Sequence, residues 1–422
     1  MNGECFVYIV LPGETGFTTA GRFVLSADRQ GLPTGRFVYG RSYLARPEAV
    51  PIDPIELGLT TEIFETRRLH GVFGALRDAG PDYWGRLVIE RHSGATALGE
   101  LDYLMYSPED RAGALSFGLH RAPPAPRRAF SRTLDLAELQ RLADAIIGDK
   151  ELPLDHDSEH VKQLLLAGTS MGGARPKAVV LDGDDLWIAK FNRPDDRWNH
   201  ARVEHAMLVL ARECGLETAE SRVETVGDRD ALLVRRFDRA RAEVGFRRAR
   251  YLSALTLLRA EDTHHDRAKW SYVLLAEELR RVSARPQQDA GELFRRMCFN
   301  ALISNTDDHP RNHAVIAMDT DWRLSPAYDL TPSTPVSNER RDLALVCGDL
   351  GRYAHVDNLL SQHSRFLIDH AAAEATVRVM EQTVRNRWYA IARAQGVTER
   401  DCERTSRAFA YPGFRLLLPK RA

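Results

Sequence analysis

The stretch "FNALISNTDDHPRNHAVI", residues 299–316, brings two acids, two histidines and three amides directly after an apolar run. The residues around its start are apolar at 293, 294, 297, 298, 301 and 302, which is the spacing of one helix face. We therefore predict a buried helix over 290–304, in a mostly helical region beyond residue 250. The polar loop that follows is then held on a rigid support, where side chains for chemistry are positioned accurately.

Two segments of this region match the parts of a phosphoryl-transfer site. Asp307 and Asn312 stand five residues apart, as in the D-x-x-x-x-N loop whose Asp accepts a hydroxyl proton and whose Asn holds a metal ion. Asp329, in "WRLSPAYDLTPST" (322–334), follows 22 residues after Asp307. An Asp at this distance is placed to ligate a Mg²⁺ ion that bridges nucleotide phosphates.

The composition bounds the class of protein. Among 422 residues, 44% are hydrophobic and 28% are charged, which is a globular balance and not a disordered or fibrous one. The 58 basic and 59 acidic side chains leave a net charge of −1, so the whole protein has no general attraction to nucleic acid or membrane. The five cysteines are far apart and never spaced as C-x-x-C, which favours neither a disulfide framework nor a zinc site and suits a reducing cytoplasm.

The pattern of strands and helices indicates three parts. We predict a β-rich subdomain over 1–125, a small α+β lobe over 126–240 and a helical lobe over 241–422. The first part starts with a strand, not a signal peptide or spanning helix, has two helices broken at Gly80 and Pro81, and includes a strand pair in "DRAGALSFGL" (110–119).

The small lobe contains a candidate phosphate cradle in "GTSMGGARPKAVV" (168–180). Gly172 and Gly173 let backbone N–H groups converge on an anion, and Lys177 adds positive charge just before a strand. The segment matches neither standard phosphate-loop pattern, so an ordinary hairpin turn is the alternative. The strands over 178–191 form a hairpin with its turn at residues 182–185.

Two further segments of this lobe fit nucleotide binding. Lys190, in "LWIAKF", resembles the strand lysine of V-A-I-K, which pairs with phosphates and with a helix Glu, here Glu204; the alternative is a lysine that extends to water. Arg235, Arg236 and Phe237 lie where a strand between lobes binds the nucleotide base, through main chain more than side chain. The alternative is a buried strand with an ordinary surface exit.

The order of these segments decides between the alternatives. Glycine turn, strand Lys, helix Glu, connecting strand, D-x-x-x-x-N and metal Asp follow one another as in a two-lobed kinase. The segments "GGARPKAVV", "LWIAKF", "VRRFDR", "NALISNTDDHPRNH" and "LSPAYDLTPS" resemble the HipA family of serine/threonine kinases, toxins of type II toxin–antitoxin modules. The amino-terminal "GPDYWGRLVIER" and "DRAGALSF" resemble the first domain of that family, so the likeness covers most of the chain.

The resemblance implies a two-lobed α+β kinase-like fold, ATP and Mg²⁺ as cofactors, and a role for each matching residue. Asp307 is then the catalytic base, Lys190 the phosphate-pairing lysine, and Asn312 and Asp329 the Mg²⁺ ligands. His309 matches the histidine of the family's loop, with a structural or a chemical role, while Asp308 and His313 face solvent or stabilise the loop. The full expected nucleotide-binding set is Gly172, Gly173, Ala174, Arg175, Pro176, Lys177, Lys190, Arg235, Arg236, Phe237, His309, Asn312, Tyr328 and Asp329.

The family likeness also implies regulation and partners. Ser170, with Thr169 as a competitor, matches a serine whose autophosphorylation silences the kinase, since a phosphate adds about two negative charges beside those of ATP. The expected partners are a small helix-turn-helix antitoxin of HipB type, operator DNA through that antitoxin, and a protein target such as an aminoacyl-tRNA synthetase, all in the cytoplasm and without a membrane. Two departures stand out: Arg235 replaces an acidic residue common in the family, and Pro176 removes one N–H from the cradle.

Two other functions stay open. A metal-dependent hydrolase would use Asp307, Asp308, His309 and His313 as ligands of a transition metal, which leaves Lys190 and the glycine turn without a role. A kinase-like adaptor without catalysis would bind a DNA-binding antitoxin and regulate transcription. The presence of every expected catalytic residue favours the kinase over both.

Overall fold

A computed structural model describes residues 3–93, 98–125, 131–132, 136–148 and 175–416. The chain divides into two compact units. The first unit comprises residues 1–194, 224–261 and 314–322, and the second comprises residues 195–223, 262–313 and 323–422. This division is not linear in the sequence, and it assigns the helix His200–Glu213 to the second unit, whereas the sequence pattern grouped that helix with the small lobe. The predicted boundaries at residues 126 and 241 stay predictions.

The first unit begins with an antiparallel five-stranded sheet in the order β4-β3-β2-β1-β5. Its strands alternate buried and exposed residues where one face meets solvent, and Val7, Phe23 and Phe37 are fully buried on the core side. The strands are β1 Gly3–Val10, β2 Phe17–Ala27, β3 Pro33–Tyr39, β4 Phe64–Thr66 and β5 Leu115–Gly118. The helices of this region are α1 Arg41–Leu44, α2 Gly74–Asp78, α3 Tyr83–Ser93 and α4 Glu100–Tyr106. The break predicted at Gly80 and Pro81 is confirmed, since it falls between α2 and α3.

A second sheet of the first unit has the order β6-β7-β8-β10-β9. Its strands are β6 Ser131–Arg132, β7 Lys177–Asp182, β8 Asp185–Phe191, β9 Ser221–Val226 and β10 Arg229–Arg235. The hairpin predicted over 178–191 is confirmed, and Gly183 takes the positive φ of 58° that its tight turn requires. Trp84 and Val88 of α3 share one hydrophobic cluster with Leu139 of α5, Leu136–Ile147, and with the inner face of this sheet. The "GPDYWGRLVIER" helix therefore packs on the strand that carries Lys190.

Two buried arginines join the end of β10 to the amino-terminal subdomain. Arg236 has no exposed side-chain surface; its guanidinium binds Asp110 at 2.6 Å and Asp238 at 2.9 Å. Arg239 also binds Asp238, at 2.7 Å. Burial by itself lowers the pKa of Arg236, but the carboxylates of Asp110 and Asp238 outweigh burial and raise it above its ordinary value.

This network explains why the predicted strand pair over 110–119 is wrong. Only Leu115–Gly118 is a strand. Gly113 has a φ of 78° and donates its N–H to Asp238, while the buried guanidinium of Arg111 donates to the carbonyl oxygens of Leu104 and Ser107. Residues 110–113 therefore serve the ion network and not a strand ladder.

The rest of the first unit consists of short elements: β11 Arg239–Arg241, β12 Phe246–Arg248, β13 Arg250–Ser253, α7 Ala254–Leu257 and β14 Ala314–Ala317. β11 pairs with β12, and β13 pairs with β14, both antiparallel. No helix among the described residues is long and apolar enough to cross a membrane.

The second unit is predominantly helical and is organised around one buried helix. It contains α6 His200–Glu213, α8 Tyr272–Val282, α9 Pro286–Leu302, α10 Val356–Ser361, α11 His370–Ala394 and α12 Glu399–Thr405, with β15 Arg323–Leu324. All but a few residues of α9 are buried, as its apolar spacing predicts, and α8 and α11 pack against it. The helix predicted over 200–216 is confirmed as α6, closed by Gly215 with a φ of 82°. The polar loop at 303–313 therefore starts from a helix fixed on several sides.

The buried ion network leads to a stability prediction. Asp110→Ala leaves Arg236 and Arg239 buried with one carboxylate fewer, and we expect it to lower the free energy of unfolding by about 3–5 kcal/mol. The measurement is urea unfolding of the purified protein. Asp185→Ala is the matched control: it removes the exposed partner of Arg235 and should cost at most about 1 kcal/mol. Equal losses in the two variants would contradict a special weight for the buried network.

Candidate active site in the loop after helix α9

The loop after α9 reverses direction within three residues. Ser304 has a φ of 55°, a left-handed conformation that is uncommon for a residue other than glycine, and Asn305 donates its backbone N–H back to the carbonyl of Asn300 at 2.8 Å. The strained turn is held from outside, because the Ser304 hydroxyl donates to the Ala408 carbonyl at 2.5 Å and the Arg341 guanidinium donates to Ser304. The turn directs residues 305–313 away from the helix end.

Asp308 anchors this loop in the interior. Its side chain is 1% exposed, and one carboxylate oxygen accepts hydrogen bonds from the Tyr272 hydroxyl and, at 2.8 Å, from the His313 ring. Asn300 of α9 donates to the same Tyr272 oxygen at 3.2 Å. Burial, and then the charge of Asp308, raise the pKa of Tyr272 well above its ordinary value, so the phenol stays protonated as a donor. Of the two roles expected for Asp308 and His313, loop stabilisation is confirmed and solvent exposure is wrong.

Asp307 and Asn312 lie one residue before each member of that buried pair. Asp307 is exposed, whereas Asn312 is mostly buried. Between them, the short 3-10 helix Pro310–Asn312 starts with proline, and the Asn312 N–H donates to the His309 carbonyl at 2.9 Å. The Asn312 amide nitrogen lies 3.5 Å from the Asp307 carbonyl oxygen, which leaves the amide oxygen of Asn312 as its metal-binding atom.

Hydrogen bonds tie the segment around Asp329 to this loop. The Thr306 hydroxyl donates to the Ser333 hydroxyl at 2.7 Å, and the Ser333 N–H donates to the Ser304 carbonyl at 3.0 Å. On the other side of the loop, the Tyr328 hydroxyl donates to the Arg311 carbonyl at 2.8 Å. Hydrogen bonds therefore hold together the two segments that contain Asp307 and Asp329, which are 22 residues apart in the sequence.

Asp329 itself has a φ of 60°, in the left-handed region. Asp is among the few residues that adopt this conformation with modest strain, and such strain concentrates at functional sites. A long contact of 3.5 Å from the Asn305 amide to the Asp329 carbonyl oxygen spans the same gap. The backbone at Asp329 is therefore contacted from the side of the 303–313 loop.

The charges of these residues influence one another. Asp307 is exposed, but the protein atoms around its carboxyl group displace part of its water, and this partial desolvation is the largest cause that raises its pKa above the ordinary value. The negative charges of Asp329 and Asp308 also raise this pKa, whereas His309 and Arg267 lower it. Repulsion between Asp307 and Asp329 is what a divalent cation between them would relieve. With the amide oxygen of Asn312, the set consists of hard oxygen donors, which suits Mg²⁺.

The arrangement does not suit a transition-metal hydrolase. Asp308 and His313 bind each other in the interior, so two of the four proposed ligands are already engaged with each other. Within the described ranges, no three His, Cys, Asp or Glu side chains are grouped to hold a metal ion. A Mg²⁺ site of kinase type needs only one or two protein ligands, because phosphates and water complete the shell.

In the first unit, Lys177 forms a buried ion pair, and its expected role at the phosphates stays a prediction. Its ammonium lies 2.5 Å from Asp82, and the two side chains are 2% and 7% exposed. The charge predicted to face a phosphate is thus compensated inside the protein. Lys190, the cross-strand neighbour of Lys177, is half-buried near the end of β8. Glu204 is buried in α6, in the other unit, and its pairing with Lys190 stays a prediction.

The predicted base-binding residues at the end of β10 differ in availability. Arg235 is exposed and binds Asp185 at 2.7 Å, and Phe237 is half-buried. Two groups of Arg236 already have hydrogen-bond partners. Its guanidinium binds Asp110 in the ion network, and its backbone N–H donates to the Leu186 carbonyl at 2.9 Å. The N–H of Arg236 is therefore already used within the sheet, and the expectation that Arg235, Arg236 and Phe237 bind a base, through main chain more than side chain, stays a prediction.

Several predicted residues lie outside the described part of the chain, namely Ser170, Gly172, Gly173 and Ala174, with Thr169. Arg175 and Pro176 are described, and the Pro176 carbonyl accepts the Phe191 N–H at 3.0 Å, which continues the β7–β8 ladder. His309 is half-buried in the loop, and its Nδ1 atom has no hydrogen-bond partner among the residues that the structure describes. Its role stays open between support and chemistry.

The sequence did not single out the residues that support the loop. Tyr272, Asn300, Asn305 and Ser333 hold Asp308 and join the two segments. Asn300 and Asn305 were visible as two of the amides in the opening stretch. Tyr272 begins a separate helix, α8, and no local pattern connects it with residue 308.

Comparison with known proteins gives consistent matches. The family model for the HipA-like C-terminal domain matches residues 169–388, and the model for the HipA N-terminal domain matches residues 17–118. A protein of Sinorhizobium fredii named "Putative kinase Y4mE" is 26% identical over 387 residues, covering 82% of this chain and 87% of that protein. The HipA structure from Shewanella oneidensis MR-1, solved with HipB and its operator DNA, covers 95% of this chain and 94% of its own, with a TM-score of 0.67 at 16% identity.

The raised pKa of Asp307 leads to a prediction about stability. A carboxyl group whose pKa is higher in the folded state than in the unfolded chain costs stability when ionised, so Asp307→Asn should stabilise the metal-free protein at neutral pH. The gain should shrink as the pH falls through the raised pKa of the folded state and should disappear at about pH 3, below the ordinary aspartate pKa of about 3.9, where the carboxyl group is mostly protonated in both states. Urea unfolding at the two pH values measures it.

The control for this prediction is Asp321→Asn, an exposed aspartate for which no stabilisation is expected. A destabilised Asp307→Asn protein at neutral pH would contradict the charge repulsion inferred at this site.

Proposed function

Because the chain belongs to the HipA family, we propose that it is a serine/threonine protein kinase that transfers the γ-phosphoryl group of ATP to a hydroxyl group of a protein target. The observation that supports this most is the joining of two separate segments into one acidic site, through the Thr306–Ser333 and Tyr328–Arg311 hydrogen bonds. Such a site has an exposed carboxylate beside a metal-binding pair, which is what in-line phosphoryl transfer requires.

Each residue of the site has one task in this proposal. The exposed carboxylate of Asp307 accepts the proton of the attacking hydroxyl and aligns its oxygen. Asn312 and Asp329 would hold Mg²⁺ through their oxygens, and Lys190 would pair with the phosphates. Bound Mg²⁺–ATP supplies the phosphoryl group and an electrostatic sink for the charge that develops on its oxygens.

The raised pKa of Asp307 suits a residue that accepts a proton. A base whose pKa is raised takes a proton more readily than an ordinary aspartate. A divalent cation beside Asp329 would lower the pKa of Asp307 again. The base is thus available when the metal and nucleotide are bound.

Targets and partners are proposed from the family. We assign a small helix-turn-helix antitoxin of HipB type as the binding partner, and operator DNA as bound through that antitoxin; the Shewanella oneidensis structure contains both. An aminoacyl-tRNA synthetase is the proposed class of target, and the cytoplasm is the proposed location. A growth assay on expression tests toxicity separately, because kinase chemistry does not by itself make a toxin.

The decisive test of the kinase is ATP-dependent phosphorylation by the wild type and by Asp307→Asn and Asp329→Asn. Removal of a positioned base lowers such rates by roughly 10²–10⁴-fold, and removal of a metal ligand should have an effect of similar size. The readout is the incorporation of labelled γ-phosphate into a generic protein substrate and into the protein itself.

Asp321→Asn, which changes an exposed aspartate in the turn after β14, is the matched control and should keep wild-type activity. If both site variants phosphorylate as fast as the wild type, the site is wrongly assigned. If the wild type binds ATP and never transfers phosphate, the adaptor without catalysis is the better description.

Autophosphorylation gives an independent prediction. After incubation of the active enzyme with ATP and Mg²⁺, we expect mass spectrometry to find phosphate on Ser170, within the 168–173 peptide. Ser170→Ala should remove this phosphate and prolong activity in a time course. Phosphate found only on other peptides would refute the assignment, and phosphate on Thr169 would move it by one residue.

A further inference from the structure

Asp82 performs two tasks at the start of α3, and the second reaches the nucleotide-binding region. One carboxylate oxygen accepts the Gly85 N–H at 2.7 Å, which is the geometry of a helix N-cap. The other oxygen accepts the ammonium of Lys177, the first residue of β7. The same helix adds a second bond to that residue, because the Trp84 indole N–H donates to the Lys177 carbonyl at 3.2 Å.

The contact is built in the interior and not at the surface. Both charged side chains are more than nine-tenths buried, and Trp84 belongs to the hydrophobic cluster between α3, α5 and the sheet. A buried ion pair contributes little net stability, but removal of one partner leaves an uncompensated charge in the interior. The "GPDYWGRLVIER" segment therefore fixes both the side chain and the backbone of Lys177.

The strand register places the Asp82–Lys177 ion pair next to Lys190. Lys177 and Lys190 are directly opposite each other in the antiparallel β7–β8 ladder. Opposite residues project from the same face with Cβ atoms about 5 Å apart, and like charges in such pairs repel. Asp82 supplies a negative charge at the ammonium of Lys177, on the face of the sheet that Lys190 shares.

We propose that Asp82 is a positioning residue for nucleotide binding: by binding Lys177, it determines how the ammonium of Lys190 is directed toward the phosphates. The inference rests on the proposed function, because it assumes that Lys190 meets ATP. It assigns a part of the amino-terminal segment, outside the lobe that carries Lys190 in the sequence, to the affinity of the kinase for its nucleotide.

A double-mutant cycle on the full-length protein tests this role. Asp82→Asn keeps an N-cap of nearly equal quality and removes the charge, so it separates capping from ion pairing. The remaining Lys177 charge then competes with Lys190, and we expect the Kd for Mg²⁺–ATP to rise by about tenfold. Lys177→Met leaves Asp82 facing Lys190 and should also weaken ATP binding. The double variant removes both charges and should return the Kd to within about threefold of the wild type.

Asp53→Ala is the control for a merely structural effect. Asp53 is a buried aspartate of the same unit that accepts the Ile55 N–H, so its loss should lower the melting temperature. Its Kd for ATP, measured by calorimetry well below the melting temperature, should stay at the wild-type value. If Asp82→Asn also keeps the wild-type Kd, the proposed role is overturned. It is also overturned if the loss of binding free energy in the double variant equals the sum of the losses in the two single variants.

The same titration separates this inference from the kinase assignment. Wild-type protein that binds no ATP refutes the proposed function and this inference together. Wild-type binding that is weakened by Lys190→Ala but not by Asp82→Asn leaves the kinase intact and refutes only the role of Asp82.

Discussion

The loop after α9 is shaped by one requirement, that the buried carboxylate of Asp308 receive hydrogen bonds. A carboxyl group at 1% exposure is stable only with hydrogen-bond partners, and the Tyr272 hydroxyl and the His313 ring both contact its Oδ2 atom. To reach both, the chain turns at Ser304 through a left-handed conformation and closes the short helix over 310–312. The exposed position of Asp307 is a consequence of where Asp308 is bound.

The first unit follows a similar principle with different residues. The carboxylate of Asp82, at the start of α3, binds Lys177 at the start of β7. The carboxylate of Asp238 binds Arg236 just after the end of β10, and both cations are buried. Hydrophobic packing alone is non-directional, whereas these bonds fix which strand end meets which segment. These ion pairs therefore determine how segments that are distant in the sequence are arranged within the first unit.

Periodic features of the sequence predicted the helices well, but the sequence did not predict the polar contacts between residues that are far apart along the chain. The helix predicted over 290–304 is observed as Pro286–Leu302, and Gly215 ends α6 as expected, because apolar spacing and caps are local signals. Asp82, which binds Lys177, is 95 residues away from it, and Asp110, one of the two carboxylates that bind Arg236, is 126 residues away. No local pattern encodes such pairs, and the residue types alone are compatible with a phosphate ligand or with an internal ion pair.

The acidic loop shows why spacing identifies a site but not the direction of its side chains. A separation of five residues occurs twice, as Asp307 with Asn312 and as Asp308 with His313. Both pairs contain an acid and a metal-binding side chain, and both are compatible with chemistry until burial is known. The structure separates them: Asp308 and His313 bind each other in the interior, and Asp307 remains exposed. In the proposed kinase, the inner pair would fix the geometry that the outer pair needs, since a base held by a loose loop would lose the alignment on which proton transfer depends.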